Sequence, residues 1–484
     1  MREHISELHA LQLSAARNAD FRKGSRLSNI FAFPSKTLDP LPDSAVSVVR
    51  KRLGARKLSL RTAGLVFVLL TVLAIVAARV SCYGFAGVPP SSAAASSMRS
   101  AAPAALQSTG HDFSAEARLL FRVAACTGSA PIPESLDRGV IYRHCNELEP
   151  RMRAYRDQYL AVMGPYLAKL CPAGLPPTVV YPFGGGDLLS ALTAYPDATE
   201  ITTISLEYAG DPRRVATLSA SALQKDLARL RRSMLQLLTL SDSASEDLMQ
   251  VHRGGIPGQL AFFLVGLAIH GFEPVSLRYF RIEPDGSLHY LDDADIAALE
   301  PVHARKLNRV WKSPDFSLAF SNLELTFRSM RGGPGTRLRV HRHIAADLGD
   351  AALSRDPRVL RHLEAKGQVA GLVKAASYLL WTMPFGRIRD YLLGHIDFMI
   401  SDSSGILPRY AQQAGFVQQT YGTFEGTPFR SHARDEADFV RLWRAQPHRE
   451  MPLRFGYGDV HKAPHLLVTR RASRMESSSA TSKH

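Results

Sequence analysis

The chain lacks nearly every short signature by which an enzyme shows its chemistry. It contains no G-x-S-x-G, no S-x-x-K and no H-E-x-x-H, so nucleophile-elbow hydrolases, S-x-x-K acylases and H-E-x-x-H metalloproteases are without their reacting groups. No C-x-x-C and no Cys/His zinc spacing occurs, and four cysteines in 484 residues are too few for a disulfide-dense scaffold. No repeat of solenoid or propeller period is present. Long basic runs are also missing beyond the first 61 residues. The formal charge of +15 is therefore no nucleic-acid footprint: residues 1–61 hold 12 Lys/Arg against 5 Asp/Glu, a net +7, and the remaining +8 is spread over more than 400 residues.

What is present is a globular composition, 45% hydrophobic and 21% charged, in a chain too long for one small domain. "TAGLVFVLLTVLAIVAA" (62–78) carries no charge and is flanked by Arg61 and Arg79. With Val80 to Phe85 as an extension it reads as one transmembrane helix, a signal anchor at 62–80. "RKRLGARKLSLR" precedes it with six basic residues and no acid, which puts residues 1–61 in the cytoplasm as a basic tail at the anionic lipid surface and exports the rest. Ala, Ser and Pro dominate 81–112, a tether that cannot bury enough apolar surface to order itself. Residues 113–470 then form the exported domain, and 471–484 a disordered tail.

Cys126 and Cys145 flank "TGSAPIPESLDRGVIYRH", read as a proline-bearing loop. In an exported domain that pair is a natural disulfide, worth about 3 kcal/mol by loop closure.

Within the domain, 146–170, 221–241, 256–272, 368–381 and 386–395 have helical patterning. "TVVYPFGGGDLLSALTAYPDATEITTISLE" (178–207) reads strand, glycine turn, helix, strand. Residues 275–291 read as a hairpin about Pro-Asp-Gly, "NLELTFRS" and "TRLRVHRHIAADL" as further strands, and 396–408 as a buried strand running into a turn. The expected fold is α/β, a three-layer Rossmann-like mixed sheet with an inserted β-hairpin, preceded by the transmembrane helix.

Four constellations offer chemistry. Gly184, Gly185 and Gly186 free the backbone between a strand and a helix, Asp187 is placed to cap that helix, and Glu207 lies 21 residues past Gly186 at the end of the next strand. Asp402 and Ser403 follow a strand at the sheet's carboxyl edge, where open α/β sheets bind ligands. Asp187, Glu207, Asp402 and Ser403 would make a carboxylate-rich catalytic site if they converge. The competing reading is plain turn chemistry, Asp402 bonding the backbone two residues on. His341 and His343 share one face of a strand, with His395 or Asp347 as a possible third metal ligand; the arginines beside them favour an exposed basic strand instead. Lys374, Ser377 and Tyr378 would sit within one helical turn, with Lys374 on its wet face.

The glycine stretch, 179–207, resembles the first motif of class I methyltransferases, which bind S-adenosylmethionine in such a loop. It departs from the dinucleotide pattern at Leu189, and Pro182-Phe183 is unusual for a methyltransferase. "YPF-G-G-D", "LE-x-x-G", "KAASYLL" and "SDSSGI-x-P" are together similar to a group of bacterial exported proteins of unassigned function, over roughly 115–430. Three functions follow as expectations: an exported enzyme with the carboxylate-rich site, a non-catalytic envelope binding or scaffolding module, and a methyltransferase if the domain faces the cytoplasm. Cofactor, substrate and envelope partner are not named by the sequence.

Overall fold

The computed structural model describes residues 110–240, 255–299, 317–332, 335–427, 432–457 and 463–472. The basic tail, the apolar run at 62–80, most of the tether and the last twelve residues lie outside them. Among the described residues, no helix is long and apolar enough to cross a membrane.

Ten strands of the described residues form one sheet: β1 (Thr178–Pro182), β2 (Glu200–Ser205), β3 (Phe272–Ile282), β4 (Leu288–Tyr290), β5 (Asn322–Ser329), β6 (Arg339–Ala345), β7 (Val369–Val373), β8 (Ile396–Ser401), β9 (Phe416–Gly422) and β10 (His465–Arg471). Their order is β4-β3-β5-β6-β2-β1-β7-β8-β10-β9. The middle five, β6-β2-β1-β7-β8, are all parallel. Counted among themselves they run 3-2-1-4-5, the Rossmann order, so the topological switch point falls between β1 and β7. The antiparallel β3–β4 hairpin and β5 extend one side, and antiparallel β10 separates β8 from β9 on the other.

Among the described residues twelve α-helices accompany the sheet: α1 (Ser114–Ala124), α2 (Arg138–Ala154), α3 (Ala161–Leu170), α4 (Leu188–Ala194), α5 (Ala220–Leu240), α6 (Gly258–His270), α7 (Asp293–Leu299), α8 (Asp350–Arg355), α9 (Arg358–Glu364), α10 (Gly386–His395), α11 (Pro408–Gln413) and α12 (Ala433–Arg444). The parallel strands are near-continuous apolar runs because both of their faces are covered. One face, through Val179, Tyr181 and Ile201, packs in a single core with α1, α2, α4, α5 and α6. The other, through Val180 and Ile204, packs against α8 to α11. That is the expected three-layer arrangement.

Where the periodicity is clear, the elements follow it. The hairpin, β5, β6, β8, α5, α6 and α10 stand where the pattern puts them. Two expectations are corrected. The helix expected over 368–381 is strand β7 followed by a turn and a short 3-10 segment at Leu379–Trp381; a fully buried strand and a buried helix segment share the same short apolar run, and β-branched Val369 and Val373 favour the strand. The stretch between Cys126 and Cys145 is only half loop, since α2 already begins at Arg138 with Asp137 capping it (Val140 N–H to Asp137 Oδ1, 2.9 Å). Cys126 and Cys145 are bonded, with Cα atoms 5.4 Å apart, a spacing disulfides require. α2 and α3 are joined by a π-turn at Tyr155–Leu160.

Candidate functional site

The loops after β1 and β7 face each other across the switch point, and backbone strain gathers there. Five non-glycine residues among those described have positive φ. Four of them are in these two loops: Phe183 (61°), Ala375 (52°), Ser377 (49°) and Tyr378 (58°). Such conformations cost free energy and persist only where surrounding contacts over-determine them.

Those contacts start at Asp187. Its Oδ1 accepts from the Ser190 N–H (3.0 Å), capping α4 as its sequence position suggests. Its Oδ2 takes the Lys374 ammonium at 2.7 Å and the Tyr181 hydroxyl at 3.2 Å. Lys374 also donates to Ser190 Oγ (2.6 Å). Lys374 is therefore a buried cation, 3% exposed, joining the β1 and β7 loops, and not a lysine on the wet face of a helix. The correction follows from the strand: a residue just past a central parallel strand enters the crevice, not solvent.

Asp402 is fully buried, and its carboxylate accepts four hydrogen bonds. Oδ2 accepts from the Ala375 and Tyr457 N–H groups, each at 2.8 Å. Oδ1 accepts from the Ser404 N–H at 2.8 Å and from the Ser404 hydroxyl at 2.5 Å. The bond to the residue two on is the expected turn chemistry; the other two tie the strained β7 turn and the segment around Tyr457 to the end of β8. Ser403 is buried next to it, with its Oγ 3.1 Å from the Tyr378 hydroxyl and 2.9 Å from His465 Nε2.

Two of the three glycines serve close packing, Gly186 against α6 and Gly184 against Tyr181. A Cβ on Gly186 would stand 2.9 Å from Gln259 Oε1 and 3.0 Å from Phe262 Cβ, and one on Gly184 would meet the Tyr181 ring at 2.8 Å. The side of Gly186 on which a Cβ would stand is thus filled by Gln259 and Phe262.

Glu207 sits past β2, 5% exposed, with no hydrogen-bond partner for its Oε1. Gln259 is fully buried, and neither its Nε2 nor its Oε1 has a partner. Beneath them runs a chain of bonds along β2 and β6: His343 Nε2 lies 2.8 Å from the Glu207 carbonyl oxygen, His343 Nδ1 3.1 Å from Thr203 Oγ1, and Thr203 Oγ1 2.9 Å from His341 Nε2. Phe263 lies against both imidazoles. Burial holds His343 down to about 4 and His341 well below its ordinary value, since an imidazolium there would be desolvated. β6 is thus an interior strand, not the exposed basic strand expected. Arg342 reaches the opposite face, into ion pairs with Glu200 (2.7 Å) and Glu324 (2.8 Å). Among the described residues no three His, Cys, Asp or Glu side chains group as metal ligands.

Asp187 and Asp402 are therefore brought to the two sides of the β7 turn, each bonded to its own donors, while Glu207 lies apart on the β2 side. Sequence reasoning missed Lys374 as the partner of Asp187, His465 beside Ser403, and Gln259. Gln259 had a signal: it is the one polar side chain in the first two turns of an otherwise apolar helix. No protein-family model matches the chain, and a search of curated proteins finds no relative.

Proposed function

We propose that the chain is a membrane-anchored protein whose exported Rossmann-like domain is a non-catalytic binding or scaffolding module of the cell envelope. The observation that carries this reading is that the two carboxylates at the β7 turn, Asp187 and Asp402, are satisfied within the fold. Lys374 engages Asp187 at 2.7 Å, four hydrogen bonds engage the Asp402 carboxylate, and Gln259 and Phe262 stand against Gly186. A general acid or base needs a carboxyl free to exchange its proton with substrate, and these two are committed to holding loops. The bonded Cys126–Cys145 pair supports an oxidising compartment, where S-adenosylmethionine is not supplied.

A second reading, a nucleoside-cofactor enzyme, is favoured by the unpartnered atoms of Glu207 and Gln259 beside Gly186. The strand order supports it too: 3-2-1-4-5 with an antiparallel strand set before the last is also the order of class I methyltransferases. Thermal unfolding with S-adenosylmethionine, adenosine and NAD separates the two. The module reading expects no shift with millimolar ligand. A shift of several degrees, abolished in Glu207→Ala, would replace it with the enzyme.

A further inference from the structure

We propose that the cleft between α3 and the end of β9 is a binding site for an uncharged saccharide. It holds about 480 Å³, a volume typical of small-molecule sites. None of its walls comes from the switch-point loops: α3 supplies Tyr166, the end of β9 supplies Gly422 and Thr423, and the rest comes from the segment after α12 and from Pro464 just before β10.

The fold itself holds these walls in place. β9 is an edge strand, and the segment after α12 covers its outer side: the Thr420 N–H donates to Gln446 Oε1 (3.1 Å), Gln446 Nε2 to the Gln418 carbonyl (2.8 Å), and the Gly422 N–H to the Arg449 carbonyl (2.7 Å). The Tyr166 hydroxyl donates to the Glu450 carbonyl oxygen (3.1 Å), and the Thr423 N–H to that of Pro464 (3.0 Å). Gly422, at a φ of 69°, lets the two chains come this close, since a Cβ there would collide with the Pro464 carbonyl oxygen. A cleft already shaped spends little ordering entropy on its ligand.

The lining names the chemistry of the occupant. Met451, Pro452, Pro464 and Tyr166 give apolar and aromatic surface, which suits the C–H faces of sugar rings. Thr423, His448 and Glu450 are exposed, and among the described residues no hydrogen bond or ion pair engages the hydroxyl, the imidazole or the carboxylate. An anion would meet the Glu450 carboxylate, and no lysine or arginine is among the lining residues to receive it. A simple cation would use Glu450 alone and would approach a chain of net charge +15. Sugar hydroxyls both donate and accept, so a neutral saccharide uses all three side chains.

That the saccharide belongs to the cell envelope rests on the exported reading above; the cleft itself does not. The test titrates the full chain, in a detergent without sugar headgroups, with maltotetraose and with chitotetraose by isothermal calorimetry. Binding of one of them with a Kd of about 1 mM or tighter is expected, weakened about tenfold in Glu450→Ala and in Tyr166→Ala. Glu450→Ala keeps the backbone carbonyl that Tyr166 holds, so it should unfold at the wild-type temperature while losing the ligand. No heat with either saccharide at about 10 mM, or equal binding by Glu450→Ala, would overturn the proposal. Protease added outside intact cells tests the exported reading separately: a shielded domain that still binds saccharide would refute export and leave the cleft standing, whereas an accessible domain that binds neither saccharide would refute the cleft alone.

Discussion

The two sides of the switch point are built to different standards. On the β7–β8 side each charged group has a defined partner: Asp187 with Lys374, Asp402 with three backbone N–H groups and a hydroxyl. On the β2 side Glu207 and Gln259 are just as buried, yet Glu207 Oε1 and both Gln259 amide atoms have no partner. An unpaired buried polar atom costs about 1–3 kcal/mol. The first side therefore reads as architecture that secures a strained turn. The second is where the domain is least committed, so any ligand of the sheet edge belongs there.

The largest effect that would break this contrast is expected at Asp402. Asp402→Ala strips the acceptor from the N–H groups of Ala375, Ser404 and Tyr457 and releases the turn holding Ala375, Ser377 and Tyr378 at positive φ. A loss of about 4 kcal/mol in urea unfolding is expected; a loss under 1 kcal/mol would show that the network does not hold the turn. Lys374→Met comes next. It leaves Asp187 as a buried carboxylate without its cation and should cost about 3–5 kcal/mol, partly recovered when Asp187→Asn is added. If the double variant is no better than the single, the pair is not the unit described.

Acid probes the buried histidines. Burial holds His144, His270, His343 and His362 each to about 4. In the unfolded chain each titrates near 6.5, so the unfolded state binds more protons between those values. Stability is then full above about pH 6.5 and falls as the pH drops toward 4, by at most about 3 kcal/mol per histidine. Unfolding midpoints followed from pH 7.5 to 4.5 check the sign; a flat profile would mean these imidazoles reach water.

Much of this was legible in the letters. Apolar runs with glycine and Pro-Asp-Gly punctuation marked most of the sheet, and Asp187 lies just before the helix it caps. The pairing of Cys126 with Cys145 also followed from spacing and the export reading. β7 was not legible, because "VAGLV" is too short for periodicity to separate strand from helix. With β7 misread, Lys374 fell on a helix surface, and its partnership with Asp187, 187 residues away, had no local trace. α11, α12, β9 and β10 were missed as well; β9 and β10 alternate only weakly in a polar-rich segment. Glu207 was placed by its spacing from the glycines, but only the packing of α6 reveals Gln259 beside them.

The most direct test of the closed switch point is the urea unfolding of Gln259→Leu. If Gln259 only fills space against Gly186, replacing an unpartnered amide by a similar apolar side chain should leave stability unchanged or raise it by about 1 kcal/mol. A fall of more than about 1 kcal/mol would show that the amide has partners in the folded protein. The β2 side would then be a satisfied polar site, and the contrast drawn here would be wrong.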